Sequence, residues 1–388
     1  MSKRFIPYGR QWITDEDIEA VVDVLRSDWI TQGPTVESFE GAFAEYCGAR
    51  YAVAVANGTA ALHLAALAAE FDTTDEVITS PVTFVASANC ILYAGANPVL
   101  ADINEENICI DPDRVAERIT PSTRGVIPIH FAGHPCDMPR LWEIAKEHGL
   151  ILIEDAAHAL GASYSWEGQT FKVGSCAHSH MTTFSFHPVK HITSGEGGMI
   201  TTNDEYIFKK LLLFRSHGIT REPDLIGNVE GPWYYEMKAL GFNYRITDIQ
   251  CALGLSQMKR LDTFISRRRK IAQTYNKAFE NIEELILPQE STWANSSWHL
   301  YVIQFRTLDR LDVFNRLREK GLGVNVHYIP IYRHPFYRKS LSHHYGDFPV
   351  AERYYARVLT LPLFPLMKKD DISYVVDMVR ETVQELMV

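Results

Sequence analysis

Tyr51-Ala-Val-Ala-Val-Ala-Asn57-Gly58-Thr59 reads as a short buried strand delivered straight into a helix. Six apolar residues with no polar alternation suit a strand covered on both faces. Asn57-Gly58-Thr59 supplies the turn, and the Ala- and Leu-rich run to about Glu70 is helical. A helix N-terminus with free N–H groups, beside a glycine that permits close approach, is a natural cradle for phosphate. The same three residues also make an ordinary turn and N-cap, so their weight depends on their surroundings.

Outward from this unit the pattern repeats. Val77-Ile-Thr, Pro98-Val-Leu-Ala-Asp, Gly125-Val-Ile-Pro-Ile-His and Leu150-Ile-Leu-Ile-Glu154 are strand candidates. Thr182-Thr-Phe-Ser-Phe and Gly198-Met-Ile-Thr-Thr follow them. Helical stretches at Phe84–Tyr93 and Leu141–His148 separate some of these strands. Such alternation predicts an α/β fold with a mostly parallel central sheet and helices on both faces. Towards the N-terminus, Ile18, Val21, Val22 and Leu25 share one face of a helix that Thr14 and acidic residues suit as a start. Residues 219–240 read as a long irregular stretch punctuated by Glu222-Pro, Gly227-Asn and Gly231-Pro232-Trp-Tyr-Tyr. Beyond them the spacing predicts helices over Asp248 to about Ile265, 266–280 and 308–320, with a strand at Trp298-His-Leu-Tyr-Val-Ile. That mixture suits a smaller α+β domain.

Composition narrows the function. At 388 residues the chain suits a large domain plus a smaller one. A net charge of −10 argues against a broad nucleic-acid surface. The one dense basic run, Arg267-Arg268-Arg269-Lys270, reads as a solvated helix face. Six scattered cysteines form no C-x-x-C pair, so neither a zinc site nor a disulfide framework is expected, and no metal is assigned. No apolar run reaches the roughly 18 residues of a membrane span. Met1-Ser-Lys-Arg-Phe-Ile-Pro lacks a signal-peptide core, so the expectation is a soluble cytoplasmic protein.

In open α/β sheets ligands bind outside the carboxyl ends of the strands, and chemistry-bearing residues gather there. Asp155 ends the strand Leu150–Glu154. A partly desolvated carboxylate needs a cationic partner, and a protonated pyridine nitrogen is one; a helix cap or an Arg partner is the alternative. Phe184-Ser185-Phe186-His187-Pro188-Val189-Lys190-His191-Ile-Thr-Ser-Gly195-Glu-Gly-Gly198 places a lysine just past a strand, before a glycine-rich turn. A lysine that forms a Schiff base must be accessible, fixed and partly unprotonated. Together these residues point to pyridoxal 5'-phosphate (PLP) chemistry, with Lys190 as the amine and Ser185 as a donor to the phosphate.

Gly58-Thr59, Thr83-Phe84, Glu154-Asp155-Ala-Ala-His158, Ser185-Phe-His-Pro-Val-Lys190 and Gly241-Phe-Asn243-Tyr-Arg245-Ile-Thr-Asp-Ile-Gln250 resemble, in order, the DegT/DnrJ/EryC1/StrS sugar aminotransferase family. The resemblance implies the fold-type I PLP-dependent aminotransferase architecture. Residues 1–250 would form a large PLP-binding α/β domain with an N-terminal arm, and 251–388 a small C-terminal α+β domain. It implies that Lys190 carries the cofactor and shuttles protons, and that Asp155 pairs with the ring nitrogen. Phe84 would stack on the ring and His158 would lie near it, while Gly58, Thr59 and Ser185 would hold the phosphate. Asn243 would reach the phosphate of a neighbouring subunit, so the protein would be a homodimer with composite sites. Members with His in place of the lysine dehydrate instead; Lys190 therefore favours transamination.

A narrower resemblance is carried by Ile30-Thr31-Gln32-Gly33, Phe214-Arg-Ser-His-Gly218, Pro232-Trp-Tyr-Tyr-Glu-Met237 and His327-Tyr328-Ile-Pro-Ile-Tyr332. These look like the C4-aminotransferases of pseudaminic acid biosynthesis. The implied substrates are a UDP-linked 4-keto-6-deoxy-N-acetylhexosamine and L-glutamate. The implied product is UDP-4-amino-4,6-dideoxy-N-acetyl-β-L-altrosamine. Thr31 and Gln32 are candidates for sugar contacts, and His327 and Tyr328 for the substrate mouth.

Overall fold

Seven strands make the central sheet of the computed structural model, which describes residues 4–222, 226–227, 229–341 and 343–387. They are β1 (Tyr51–Val55), β2 (Glu76–Thr79), β3 (Asn97–Leu100), β4 (Thr123–Ile127), β5 (Ile151–Asp155), β8 (Met181–Ser185) and β9 (Gly198–Thr202). A separate hairpin, β6 (Ser163–Trp166) and β7 (Gln169–Lys172), lies between β5 and β8 in the chain. The sheet order is β1-β9-β8-β5-β4-β2-β3, and only β9 runs against its neighbours. The remaining pairings are parallel. Strand interiors such as Val53, Val55, Ile78, Leu152 and Ile153 are fully buried because helices cover the sheet.

Register aligns the functional ends. Asp155 stands opposite Thr183. Ser185 stands opposite Gly198, which in turn faces Val55. The carboxyl ends of β1, β5 and β8 therefore share one edge of the sheet, and the helix Gly58–Ala68 starts there.

A second apolar core gathers Ile271, Tyr275, Phe279, Tyr301, Ile303, Leu359, Val375 and Val379. It lies around a three-stranded antiparallel sheet of Leu285–Ile286, Tyr301–Phe305 and Val358–Leu361. Ile6 from the N-terminal arm joins this core, with its amide donating to the Gly321 carbonyl (2.9 Å).

Several expectations need correction. The helix expected from Asp248 to Ile265 stops at Met258, and a new one runs Leu261–Phe279. No Pro or Gly marks the break. Arg260 leaves helical geometry (φ −114°, ψ 4°) with its guanidinium committed to the buried Asp17 carboxylate. The basic run is not a solvated face: Arg268 is fully buried, and Arg267 and Arg269 donate to main-chain carbonyls. In the helix Asp15–Arg26 the capping box of Thr14 and Asp17 is present, but Ile18 and Leu25 are exposed while Asp17 and Val24 are buried. The strand expected from Trp298 begins at Tyr301, because Trp298 adopts φ +49°. Within 219–240, Ile219–Thr220 pairs with Glu236–Met237. Pro223 and Asn228 of the expected turn signals lie outside the described residues.

Candidate active site

The sheet edge opens into a cavity of about 890 Å³. Gly58, Thr59, Phe84, Asp155, His158, Ser185, Lys190, His327 and Tyr328 all line it. Residues from five separate chain segments thus converge.

At one end is the helix start. Asn57 caps it, its side chain accepting from the Ala60 amide (2.8 Å) and its carbonyl from the Ala61 amide (3.1 Å). The amides of Gly58 and Thr59 precede the first intrahelical bond and are left for a ligand. A Cβ on Gly58 would stand 2.8 Å from Ser185 Cβ, so the cradle has no room for one. Gly58→Ala is expected to weaken PLP binding roughly tenfold, the worth of one displaced charge-assisted hydrogen bond. Titrating the apo-protein with PLP checks this; unchanged affinity would remove the cradle.

Asp155 is 6% exposed. Its Oδ2 accepts from Ser87 Oγ (2.6 Å) and its Oδ1 from the Ala157 amide (3.1 Å). Thr83 Oγ1 lies 2.8 Å from Ser87 Oγ and braces it. Asp155 forms no ion pair among the described residues, and a cation is what a buried carboxylate facing the cavity would bind best.

Lys190 sits on a loop pinned at both ends. The Phe186 amide donates to the Gly197 carbonyl (2.8 Å), and the Lys190 amide to the His187 carbonyl (2.9 Å). Burial pulls the Lys190 amine down to about 8, Asp155 opposes the shift, and Arg268 adds to it. PLP capture requires the neutral amine. Its rate in the apo-protein should therefore rise with pH and level off above about 8, well below an ordinary lysine. Stopped-flow absorbance across pH 6–10 measures it, and a rate still climbing at pH 10 contradicts it.

The far wall is aromatic. Tyr328 Oη lies 3.0 Å from His158 Nε2, and the two rings are stacked 5.9 Å apart. Phe84 faces Tyr328 (6.2 Å), and Tyr8 faces His327 (5.5 Å). His327 Nδ1 lies 2.8 Å from Thr360 Oγ1, and burial, aided by Lys190, holds this imidazole near 3, hence neutral.

Three candidates lie elsewhere. Thr31 and Gln32 clamp the start of the helix Asp248–Met258. The Thr31 carbonyl accepts from the Asp248 amide (3.1 Å), and Gln32 Nε2 donates to the Ile246 carbonyl (2.6 Å). Asn243 is exposed and bridges to Ser216 outside the cavity of its own chain. Conversely, Tyr8 and Ser87 line the cavity without having been singled out. Ser87 falls one helical turn after Thr83, a spacing that could have flagged it. Tyr8 carried no local signal; its carbonyl is tied to the Leu363 amide (3.0 Å), a contact only the fold creates.

An anion cradle, a desolvated carboxylate and an amine near neutrality around one cavity are the requirements of PLP chemistry. A model of the DegT/DnrJ/EryC1/StrS aminotransferase family matches residues 11–380. The chain belongs to the DegT/DnrJ/EryC1/StrS aminotransferase family. It is a fold-type I, PLP-dependent aminotransferase. Among relatives of this family, the spore coat polysaccharide biosynthesis protein SpsC of Bacillus subtilis is 41% identical over 385 residues, covering 98% of this chain and 97% of that one. Among solved structures, Helicobacter pylori PseC, an aminotransferase involved in the biosynthesis of pseudoaminic acid, is 30% identical with a TM-score of 0.90. That match covers 98% of this chain and all of the other. The PLP form of the putative sugar aminotransferase Spr1654 from Streptococcus pneumoniae is 28% identical, again with a TM-score of 0.90, and covers 99% of this chain and 100% of its own. No helix among the described residues is long and apolar enough to cross a membrane.

Proposed function

We propose that the enzyme moves the amino group of L-glutamate to C4 of a UDP-linked 4-keto-6-deoxy-N-acetylhexosamine, giving UDP-4-amino-4,6-dideoxy-N-acetyl-β-L-altrosamine. The observation that carries this reading is the full-length likeness to PseC, together with the motifs at 30–33, 214–218, 232–237 and 327–332. The cavity, about 890 Å³ and walled by Tyr8, Phe84 and Tyr328, has the size and apolar lining that suit a cofactor with a sugar.

Bound PLP would supply a carbonyl that exchanges amines and a ring that accepts an electron pair. Gly58, Thr59 and Ser185 would hold its phosphate, Asp155 would pair with its ring nitrogen, and Phe84 would cover its ring. Lys190 Nζ would remove the proton from Cα of glutamate in the first half-reaction and would deliver a proton to C4 of the sugar in the second, being restored to its starting state after each. His327, neutral beside Lys190, leaves that amine as the proton carrier. Asn243, exposed and outside its own cavity, completes the phosphate site of a second copy, so the working unit is a homodimer. Six buried free cysteines suit a reducing cytoplasm.

Incubation with candidate UDP- and GDP-linked 4-keto sugars and L-glutamate, with products identified by mass spectrometry and NMR, tests the substrate. The L-altrosamine product is expected. Preferential amination of the D-configured isomer, or of a GDP sugar, sinks the assignment and leaves the aminotransferase standing.

A further inference from the structure

The segment Ser296–His299 is wedged between both halves of the site. Its Ser297 amide donates to the Gly133 carbonyl (3.0 Å). Gly133, at φ +100°, has no room for a Cβ, which would stand 2.7 Å from the Trp298 nitrogen. Ser297 Oγ donates to the His158 carbonyl (3.2 Å), and the Ser297 carbonyl lies 3.1 Å from His191 Nε2. One residue thus ties the His158 turn to the loop that carries Lys190. Arg268, fully buried, closes the segment from behind: its Nη1 donates to the carbonyls of Trp298 (3.4 Å), His299 (3.1 Å) and Leu363 (3.1 Å).

The side chain this scaffold presents is His299. Its ring lies 4.4 Å from that of His158, with the planes 38° apart, and 5.5 Å from that of His191. Nδ1 of His299 and Nδ1 of His158 are both buried without a hydrogen-bond partner among the described residues. The two rings therefore meet in a tilted aromatic contact, with no hydrogen bond between them among the described residues. Burial first, then His158, Lys190, His191 and Arg268, hold His299 well below the usual imidazole range, so the stack is neutral. The His158 side chain makes one hydrogen bond among the described residues, to Tyr328 Oη, and the Phe131 ring meets it edge-on at 6.3 Å.

We infer that His299 is a positioning residue for amino transfer, an aromatic wedge that fixes the His158 ring against Tyr328 in the cofactor cavity. It acts through His158 and takes no proton. The inference rests on Lys190 and Asp155 framing the reacting centre, and it is independent of which sugar is aminated.

The test uses the PLP-loaded enzyme and its first half-reaction alone, read as loss of the cofactor's visible band after L-glutamate is added. His299→Ala should slow that step roughly tenfold to a hundredfold, the cost of a small misplacement, with half-saturation by glutamate shifted by less than about threefold. His299→Phe should restore the rate to within about threefold. Its thermal midpoint should equal or exceed that of the wild type, since a buried unpaired nitrogen is gone. His299→Asn, polar but without the ring face, should behave like the alanine variant. If the alanine variant does not fold, Ser297→Ala, which deletes only the hydroxyl to His158, should slow the same step while PLP binding persists. A wild-type rate in His299→Ala or Ser297→Ala, or rescue by Asn and not Phe, overturns the inference. Failure of the Lys190 assignment looks different, because a Lys190→Ala variant would then still turn over.

Discussion

Lys190→Ala should lose about 10⁴-fold or more in turnover, because the amine proposed to move the proton in both half-reactions is gone. The same change should abolish the covalent PLP band while leaving the fold intact. Lys190 makes no side-chain hydrogen bond or ion pair among the described residues, so its truncation breaks no structural contact of that kind. The cradle at Gly58 and Thr59 is untouched, so PLP should still bind, now reversibly. Small primary amines supplied in solution should recover part of the rate, as a diffusible replacement for the missing base. A spectrophotometric assay with and without methylamine reads all of these. A Lys190→Ala enzyme working at the wild-type rate ends the mechanism.

The second large effect is expected at Asp155. Asn is nearly isosteric and can still accept one of the two hydrogen bonds from Ser87 and the Ala157 amide. It cannot offset a positive charge. Removing a buried, preorganised electrostatic partner of developing charge typically costs about 10²- to 10³-fold, or about 3–4 kcal/mol. Asp155→Asn should therefore keep the covalent PLP band, because Lys190 is intact, and lose turnover. That signature is the reverse of Lys190→Ala, where the band goes first. If Asp155→Asn keeps more than about a third of the wild-type kcat, the carboxylate is a structural cap and no more.

Most of the sheet was legible because its strands are short, apolar on both faces and punctuated by turns. That pattern follows from burying a parallel sheet between helices. The candidate site was legible for a related reason. Residues that end strands on one edge are brought together by the topology itself, so Asp155 and Ser185 could be paired before any contact was known. Thr31 and Gln32, nominated through the family resemblance, lie outside the cavity of their own chain, where the Thr31 carbonyl and the Gln32 side chain meet the main chain at Asp248 and Ile246.

Arg268 is the instructive miss. Four consecutive basic residues suggest a wet surface, but a helix turns about 100° per residue, so four cannot face one way. Leu261, Phe264, Ile265, Ile271, Ala272, Tyr275 and Phe279 are the other buried positions of that helix, and 268 falls among them. The period was present in the sequence and was masked by the charge.

Alternation of apolar runs determined the sheet class by itself, and the strand-end polar residues and the lysine loop were enough to nominate Asp155 and Lys190, which the fold brings to one cavity. Those features are local, and a strand or a helix turn is specified within a few residues of chain. Only the tertiary structure decided that Ser87 steadies Asp155, that the N-terminal arm delivers Tyr8, and that Arg268 and His299 back the site from the C-terminal core. Each of those contacts joins residues 31 or more positions apart, and which of them meet is set by how the two cores close on each other rather than by any periodicity along the chain.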